Sequence, residues 1–149
     1  MTMKPLAEHG PCLVCGTENP HSFGMKWFVT DDGIVNGKIT LTEQQQGPPS
    51  YAHGGASAAL VDEAMGASVW YAGYTVVAVN LNVNYLKPVP LHQEIEVIGQ
   101  VAEVEEDGKA VKASSRIILP DGEIAVTAEG TYVNAPQFFD KLIQRYFHD

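Results

Sequence analysis

Basic residues and cysteines are both scarce in this chain of 149 residues. Nine Lys and Arg stand against eighteen Asp and Glu, which gives a formal net charge of −9. A nucleic-acid-binding surface needs clustered Lys and Arg, so the composition argues against that class of protein. The negative field also repels a polyanionic ligand at long range. Any phosphate group must therefore be held by local cations.

The sequence also lacks long apolar runs and internal repeats. No stretch approaches the roughly 20 apolar residues that a membrane-spanning helix needs, and the first residues show no basic segment followed by an apolar one. We therefore expect a cytoplasmic protein. The absence of a repeat excludes a solenoid, and the length is typical of one globular domain with a real core.

The only two cysteines form a Cys-x-x-Cys pair, Cys12 and Cys15, with His9 and His21 nearby. Such spacing can hold zinc or form a redox pair. A zinc site needs four ligands, however, and the chain has no second cysteine pair and no following βαβ pattern. We therefore expect no bound metal and interpret residues 15–20 as a turn.

Alternating apolar residues predict several strands. Residues 23–41 are typical of a hairpin that turns at Asp31-Asp32-Gly33, and residues 77–85 alternate strictly. Three more strands are predicted at 94–104, 110–119 and 123–133. Asp107-Gly108 and Asp121-Gly122 separate these three strands, and Asp-Gly between alternating runs is a strong hairpin signal.

One helix stands between the first hairpin and the later strands. It follows the loop at Gly47-Pro48-Pro49, begins at His53-Gly54-Gly55 and runs to about residue 71, with apolar residues nearly all round. A helix of this composition belongs inside a core. The most economical way to bury it is to wrap the sheet around it. The predicted fold class is therefore α+β, an antiparallel sheet wrapped around a long central helix.

The helix carries the residues best suited to chemistry. Free N–H groups at its start suit an anion or a polarised carbonyl. Asp62 and Glu63 lie mid-helix among residues suited to burial, and acids are rarely buried without a partner. The two acids point about 100° apart around the helix axis, so both are candidates for a catalytic carboxylate.

These motifs together resemble those of a known family. The Gly-Pro-Pro loop, the His-Gly-Gly turn, the acids nine and ten residues after the histidine, and the sequence Asn-Tyr-Leu-Lys-Pro at 84–88 resemble the hotdog-fold acyl-CoA thioesterases of the phenylacetate-pathway (PaaI-like) type. The resemblance covers roughly residues 12–133. It implies a single hotdog domain over 1–149, with an N-terminal extension at 1–21. The cap at Asn134-Ala135-Pro136 and the apolar stripe that follows it predict a C-terminal helix at 134–149.

The resemblance also implies roles for individual residues. Gly54 would offer its N–H to the thioester carbonyl, and Asp62 would act as nucleophile or as the base that activates water. Gln46, with Gln45 as an alternative, matches a polar residue before the motif. The remaining candidates are His53, Gly55 and Glu63, although His53 is explained more simply as a helix cap and Glu63 as a paired structural acid.

The implied substrate is an acyl-CoA thioester, with neither metal nor organic cofactor. Its phosphates would need cations, for which we consider Lys87, Lys109, Lys112 and Arg116, with a solvated sheet edge as the alternative interpretation. Such enzymes often carry Ser or Thr on the strand after the helix, where this chain has Ala78, with Thr75 or Asn80 as possible substitutes. Asn80 is a further candidate for substrate binding. Two other functions stay open: a hotdog hydratase or dehydratase, and a non-catalytic acyl-CoA-binding protein.

The helix geometry predicts a site shared between two chains. Gly54 and Asp62 are eight residues apart, which is about 12 Å along the axis at 1.5 Å per residue. A base or nucleophile must lie within roughly 3 to 3.5 Å of the reacting atoms. Two antiparallel copies of the helix across a twofold axis would bring Asp62 of one chain to the Gly54 end of the other. The resemblance likewise implies a homodimer, often paired into a tetramer.

Overall fold

The computed structural model describes residues 2–139, which form one seven-stranded antiparallel sheet and one long helix. The expected α+β arrangement is confirmed. The sheet order is β1-β2-β3-β5-β6-β7-β4. The elements are β1 Met3–Pro5, β2 Phe28–Thr30, β3 Val35–Thr40, α1 Gly54–Tyr71, β4 Val76–Tyr85, β5 Glu94–Val104, β6 Ala110–Ile118 and β7 Ile124–Asn134, with short 3₁₀ helices at Glu43–Gln45 and Pro136–Phe138.

The predicted Asp-Gly turns connect β5 to β6 and β6 to β7. Gly108 and Gly122 have φ angles of +69° and +87°, which residues with a side chain rarely adopt. Each preceding aspartate accepts a hydrogen bond at 2.9 Å from the backbone two residues further on. These local bonds fix the register of the meander that packs under α1.

Helix α1 packs across the inner face of the sheet. Leu60, Val61 and Met65 are fully buried in this interface. The helix lies so close to β5 that a Cβ at Gly99 would come within 2.4 Å of the Ala64 carbonyl oxygen. Among residues 2–139, one stripe of α1 is only half-buried, and Asp62 lies on this stripe.

Within residues 2–139, strand β4 lies at the edge of the sheet and pairs with β7 alone. A bulge at Val79 interrupts the pairing and changes which residues face the helix. Ala78 pairs with the buried Tyr132 before the bulge, and Leu81 pairs with the buried Gly130 after it. Strict alternation predicted one uninterrupted apolar face for residues 77–85. This prediction was wrong, because the bulge divides the face.

The chain ends are only partly described. In the stretch expected as an N-terminal extension, Met3–Pro5 forms β1 and pairs with β2. Of the C-terminal helix predicted for 134–149, Asn134 is instead the last residue of β7, and Pro136–Phe138 forms a 3₁₀ turn. Residues 140–149 lie outside the described residues. Between residues 2 and 139, no helix has the length and apolar character needed to cross a membrane.

Candidate active site

The start of α1 presents one free backbone donor. His53 is the N-cap, and its Nδ1 accepts a hydrogen bond from the Gly55 N–H at 2.8 Å. The Ala56 N–H bonds to the His53 carbonyl oxygen at 2.9 Å. Within residues 2–139 the Gly54 N–H has no acceptor. Of the two candidate glycines, Gly54 thus has the N–H that is available to a ligand, whereas the Gly55 N–H is bonded to the capping side chain of His53.

Two contacts hold this helix end in place. The Tyr85 hydroxyl, at the end of β4, donates to the Gly54 carbonyl oxygen at 2.7 Å. The His53 N–H donates to the Gln45 carbonyl oxygen at 2.7 Å. Anchoring from both sides fixes the direction of the Gly54 N–H, which is what a preorganised oxyanion donor requires.

Asp62 is oriented by a tyrosine on β7. The Tyr132 hydroxyl donates to Asp62 Oδ1 at 2.8 Å and lies 3.0 Å from the Asp62 carbonyl oxygen. Gly130 makes room for this ring, since a Cβ there would stand 2.8 Å from Tyr132 Cε2. Burial raises the pKa of Tyr132, and the Asp62 carboxylate raises it further, so the hydroxyl stays a donor.

A cavity of about 360 Å³ opens beside Asp62. Ala59 and Gly66 line it from the helix, and Ala78 lines it from β4. These small residues leave room for an acyl group or a water molecule at the carboxylate. Residues 9–14 of the N-terminal segment contribute His9 and three neighbours to the opposite wall.

Glu63 points away from Asp62 into a cluster with the N-terminal segment. Cys12 Sγ lies 2.6 Å from Glu63 Oε1, and the Trp27 indole N–H donates to Oε2 at 2.6 Å. His9 Nδ1 is 3.9 Å from Oε1. Burial raises the pKa of the Glu63 carboxyl above its ordinary value. The geometry therefore favours a structural role for Glu63 over proton transfer to a substrate.

The two glutamines of the preceding loop differ in exposure. Gln45 is buried, and its Oε1 accepts the Thr42 N–H at 2.9 Å in a capping box. Gln46 is exposed, and its Oε1 accepts the Ser50 N–H at 3.3 Å. Gln46 is thus the freer of the two side chains, although its catalytic role stays a prediction.

The candidate substrate-binding residues do not gather around Asp62 within one chain. Lys112 and Arg116 alternate with the buried residues of β6, so they lie on the sheet face opposite α1. Asn80 pairs with Thr131 and faces the same way. Lys87 lies two residues after Tyr85, whose hydroxyl bonds to Gly54, and the Lys87 ammonium group forms an ion pair with Glu123.

Comparison with known proteins identifies the domain. The family model described as thioesterase superfamily matches residues 50–107, which include α1 and β4. Protein RHA08564, a solved thioesterase superfamily protein, superimposes with a TM-score of 0.78 at 32% identity, over 85% of this chain and 63% of that one. This chain is therefore similar to the thioesterase superfamily over these residues. Its hotdog fold, implied by the resemblance in the sequence, is confirmed.

Two further proteins are similar to this chain. Acyl-coenzyme A thioesterase THEM4 of Xenopus laevis is 35% identical over 82 residues, which are 55% of this chain and 36% of the frog protein. The chain thus matches about a third of that relative's length. The E. coli PaaI protein from the phenylacetic acid degradation operon superimposes with a TM-score of 0.69 at 18% identity, over 76% of this chain and 80% of PaaI, and so shares the fold.

Two residues of the candidate site were not predicted from the sequence. Tyr85 and Tyr132 bond to Gly54 and Asp62 from strands 31 and 70 residues away. Tyr85 stands inside the Asn-Tyr-Leu-Lys-Pro motif, which pointed to this position without giving its contact. The only sequence signal for Tyr132 was its position in an alternating strand. A tyrosine that merely packs in the core shows the same pattern.

Proposed function

We propose that this chain hydrolyses acyl-CoA thioesters to the free acid and CoA. The observation that carries the proposal is the free, anchored N–H of Gly54 at the start of the helix that also carries the oriented carboxylate of Asp62. The name of the frog relative supports an acyl-CoA substrate. The cytoplasmic location expected from the sequence stays a prediction.

The reaction needs one donor and one carboxylate. Gly54 donates to the thioester carbonyl oxygen, where negative charge develops when the carbon is attacked, and one such donor contributes about 2.7 to 4 kcal/mol. Asp62 either attacks the carbon itself or removes a proton from the attacking water. If Asp62 attacks, the carbon–sulfur bond breaks to leave an anhydride between Asp62 and the acyl group; a water molecule then hydrolyses this anhydride to the free acid and supplies the proton that CoA takes up. If Asp62 acts as base, the carbon–sulfur bond of the tetrahedral intermediate breaks, and the CoA sulfur takes the proton that Asp62 removed from water. Tyr132 holds the Asp62 carboxylate in position throughout.

We further propose that the Gly54 and Asp62 of one site come from two chains. On one helix the two residues are about 12 Å apart along the axis, too far for both to reach one thioester. A twofold axis that sets two copies of α1 antiparallel creates two equivalent sites. The half-buried stripe of α1 around Asp62 and Gly66 is the surface that such a partner would face.

The edge strand β4 supports the same dimer. It is ten residues long and, in the part of the chain that the structure describes, pairs on one side only; such an edge readily pairs with another chain. Val79, Leu81 and Tyr85 are 57%, 37% and 54% exposed on it. Exposed apolar side chains on a long edge strand favour an interface between two β4 strands. A homotetramer made from two such dimers stays a prediction.

Leu81→Lys is expected to raise the dissociation constant of this dimer about 100-fold, because it places a positive charge from each chain in an apolar contact. Sedimentation velocity over a dilution series measures the association, and activity should be lost in parallel on dilution. Val104→Lys is the matched control. Val104 is 40% exposed, and it lies at the C-terminal end of β5 and not on β4. The proposal fails if Leu81→Lys dimerises like the wild type, or if the wild type is an active monomer at assay concentration.

A local cation is expected to hold a CoA phosphate near the Gly54 end. Lys87 is best placed of the predicted cations, and Lys87→Ala should raise KM for acyl-CoA about three- to tenfold with little change in kcat, as expected for one charge-assisted contact. Lys112→Ala removes the same charge from the outer face of β6 and is the control. Equal KM values for both variants and the wild type would refute a phosphate contact at Lys87.

A thiol-release assay over a panel of acyl-CoA thioesters tests the proposed function. We expect free CoA from at least one member, at a rate that depends on enzyme concentration. Binding without thiol release by every member would support the acyl-CoA-binding protein instead. Conversion of an enoyl-CoA to a hydroxyacyl-CoA with the thioester intact would support the hydratase.

A further inference from the structure

Four potential metal ligands meet beside the cavity, outside the proposed catalytic pair. They are His9, Cys12 and Cys15 from the N-terminal segment and Glu63 from α1. One ligand atom of each lies within 4.8 Å of the other three. In the sequence, the Cys-x-x-Cys segment lacks a complete set of four zinc ligands, and in the structure Glu63 supplies the missing one from 48 residues beyond Cys15.

The backbone around the cysteines forms a tight knuckle. The Gly16 N–H donates to the Cys12 carbonyl oxygen at 3.0 Å, and the Val14 N–H points to Cys12 Sγ at 3.4 Å. Position 16 must be glycine, because a Cβ there would lie 2.2 Å from the Gly10 carbonyl oxygen. This turn directs both sulfur atoms towards the same point, and an N–H aimed at a sulfur favours its thiolate form.

The fourth side chain, that of Glu63, is oriented towards the same point as the two sulfur atoms. The Trp27 indole N–H holds Glu63 Oε2 at 2.6 Å, which leaves Oε1 turned towards Cys12 and His9. A hydrogen bond to the second oxygen of a carboxylate ligand is a common way of fixing a metal site from outside its ligands. Trp27 is itself buried, so this orientation is rigid.

The distances suit a tetrahedral ion. With zinc bonds of about 2.0 to 2.3 Å, neighbouring ligand atoms lie about 3.3 to 3.8 Å apart. His9 Nδ1 is 3.6 Å from Cys15 Sγ and 3.9 Å from Glu63 Oε1. The 2.6 Å between Cys12 Sγ and Glu63 Oε1 would have to open by about 1 Å. We infer that His9, Cys12, Cys15 and Glu63 bind one Zn²⁺ ion.

Charge and burial favour a cation of this kind. Cys15 is buried and Glu63 is only 14% exposed at its side chain, so two sulfur atoms and a carboxylate share a space with little water. Buried anionic groups need a counter-charge, and a divalent ion provides it. Thiolate ligands exclude Mg²⁺ and Ca²⁺, which prefer oxygen. A redox pair of Cys12 and Cys15 would explain only two of the four convergent side chains.

The site is structural, because all four positions of a tetrahedral ion are filled by protein. Its effect is to fasten residues 9–16 to α1. The same segment forms one wall of the cavity beside Asp62, so the ion also fixes the shape of that wall. This role is independent of the reaction at Asp62, and its test needs no substrate.

Metal analysis of the full chain, purified without a histidine tag, tests the inference. We expect about one zinc per chain by plasma mass spectrometry. Protein refolded with Co²⁺ should show a tetrahedral cobalt spectrum with thiolate charge-transfer absorption. Zinc below about 0.1 per chain together with no thiolate–cobalt band would overturn the proposal. An intact mass that shows a Cys12–Cys15 disulfide in freshly purified protein would overturn it as well.

Two variants separate a metal site from a hydrogen-bonded cluster. Cys12→Ser and Glu63→Gln should lose stoichiometric zinc, whereas His21→Ala, an exposed histidine outside the cluster, should keep it. Glu63→Gln retains an amide oxygen for the Trp27 N–H, so circular dichroism should show a folded protein. Zinc at wild-type content in both Cys12→Ser and Glu63→Gln contradicts the assignment.

Discussion

Asp62→Asn is expected to lower kcat for acyl-CoA hydrolysis about 10²- to 10⁴-fold, the range for removal of a catalytic base. The amide oxygen of Asn can still accept the Tyr132 hydroxyl, and the side chain has the same size. The fold and the dimer should therefore survive, and KM should change little. Steady-state kinetics with thiol detection, paired with sedimentation velocity, measure both parts of this expectation.

The control for Asp62→Asn is the same substitution at an aspartate far from the candidate site. Asp31→Asn alters an exposed acid in the turn between β2 and β3 and should leave kcat unchanged. Tyr132→Phe removes the hydroxyl that orients Asp62 and should lower kcat by a smaller factor of about ten, the order of one hydrogen bond. An Asp62→Asn variant that keeps more than about a tenth of wild-type kcat would rule out the carboxylate as base or nucleophile.

Gly54→Pro is expected to lower kcat about 10²- to 10³-fold, because it removes the N–H that stabilises the oxyanion. Proline is tolerated at the first position of a helix, where its missing N–H breaks no helical hydrogen bond. His53 already has φ −60° and ψ 140°, the conformation favoured before proline. The change therefore removes one donor with little effect on the backbone, and thermal unfolding should confirm an intact fold.

Gly54→Ala separates the donor from the side chain. Alanine keeps the N–H, and its Cβ would lie 3.4 Å from the Tyr85 hydroxyl oxygen, at the near limit of ordinary contact. We expect kcat within a few-fold of wild type for Gly54→Ala. Equal losses in the alanine and proline variants would show that space, and not the N–H, decides the rate.

Local signals predicted much of this fold. The Asp-Gly turns, the alternating strands and the apolar helix all depend on contacts between near neighbours in sequence, which composition and period reveal. His53 was interpreted as a helix cap, and its Nδ1 does cap the Gly55 N–H. The start of α1 and its free N–H donor could likewise be predicted from the sequence, because they depend on residues close to one another in the chain.

Features set by distant parts of the chain were not predictable in this way. The position of β4 beside β7 and the bulge at Val79 depend on pairing between strands that are far apart in the sequence. The cluster of Glu63 with Cys12 and Cys15 joins residues 48 or more apart, so the sequence showed an incomplete set of ligands. Only the packed structure puts these groups side by side.

Mixing two inactive variants tests the shared site most directly. In a heterodimer of Asp62→Asn with Gly54→Pro, one site carries both changes and the other carries neither. After subunit exchange, activity should return to as much as about a quarter of wild type, because half of the dimers are mixed and each has one intact site. Native mass spectrometry monitors the exchange. Confirmed heterodimers that remain inactive would contradict the account.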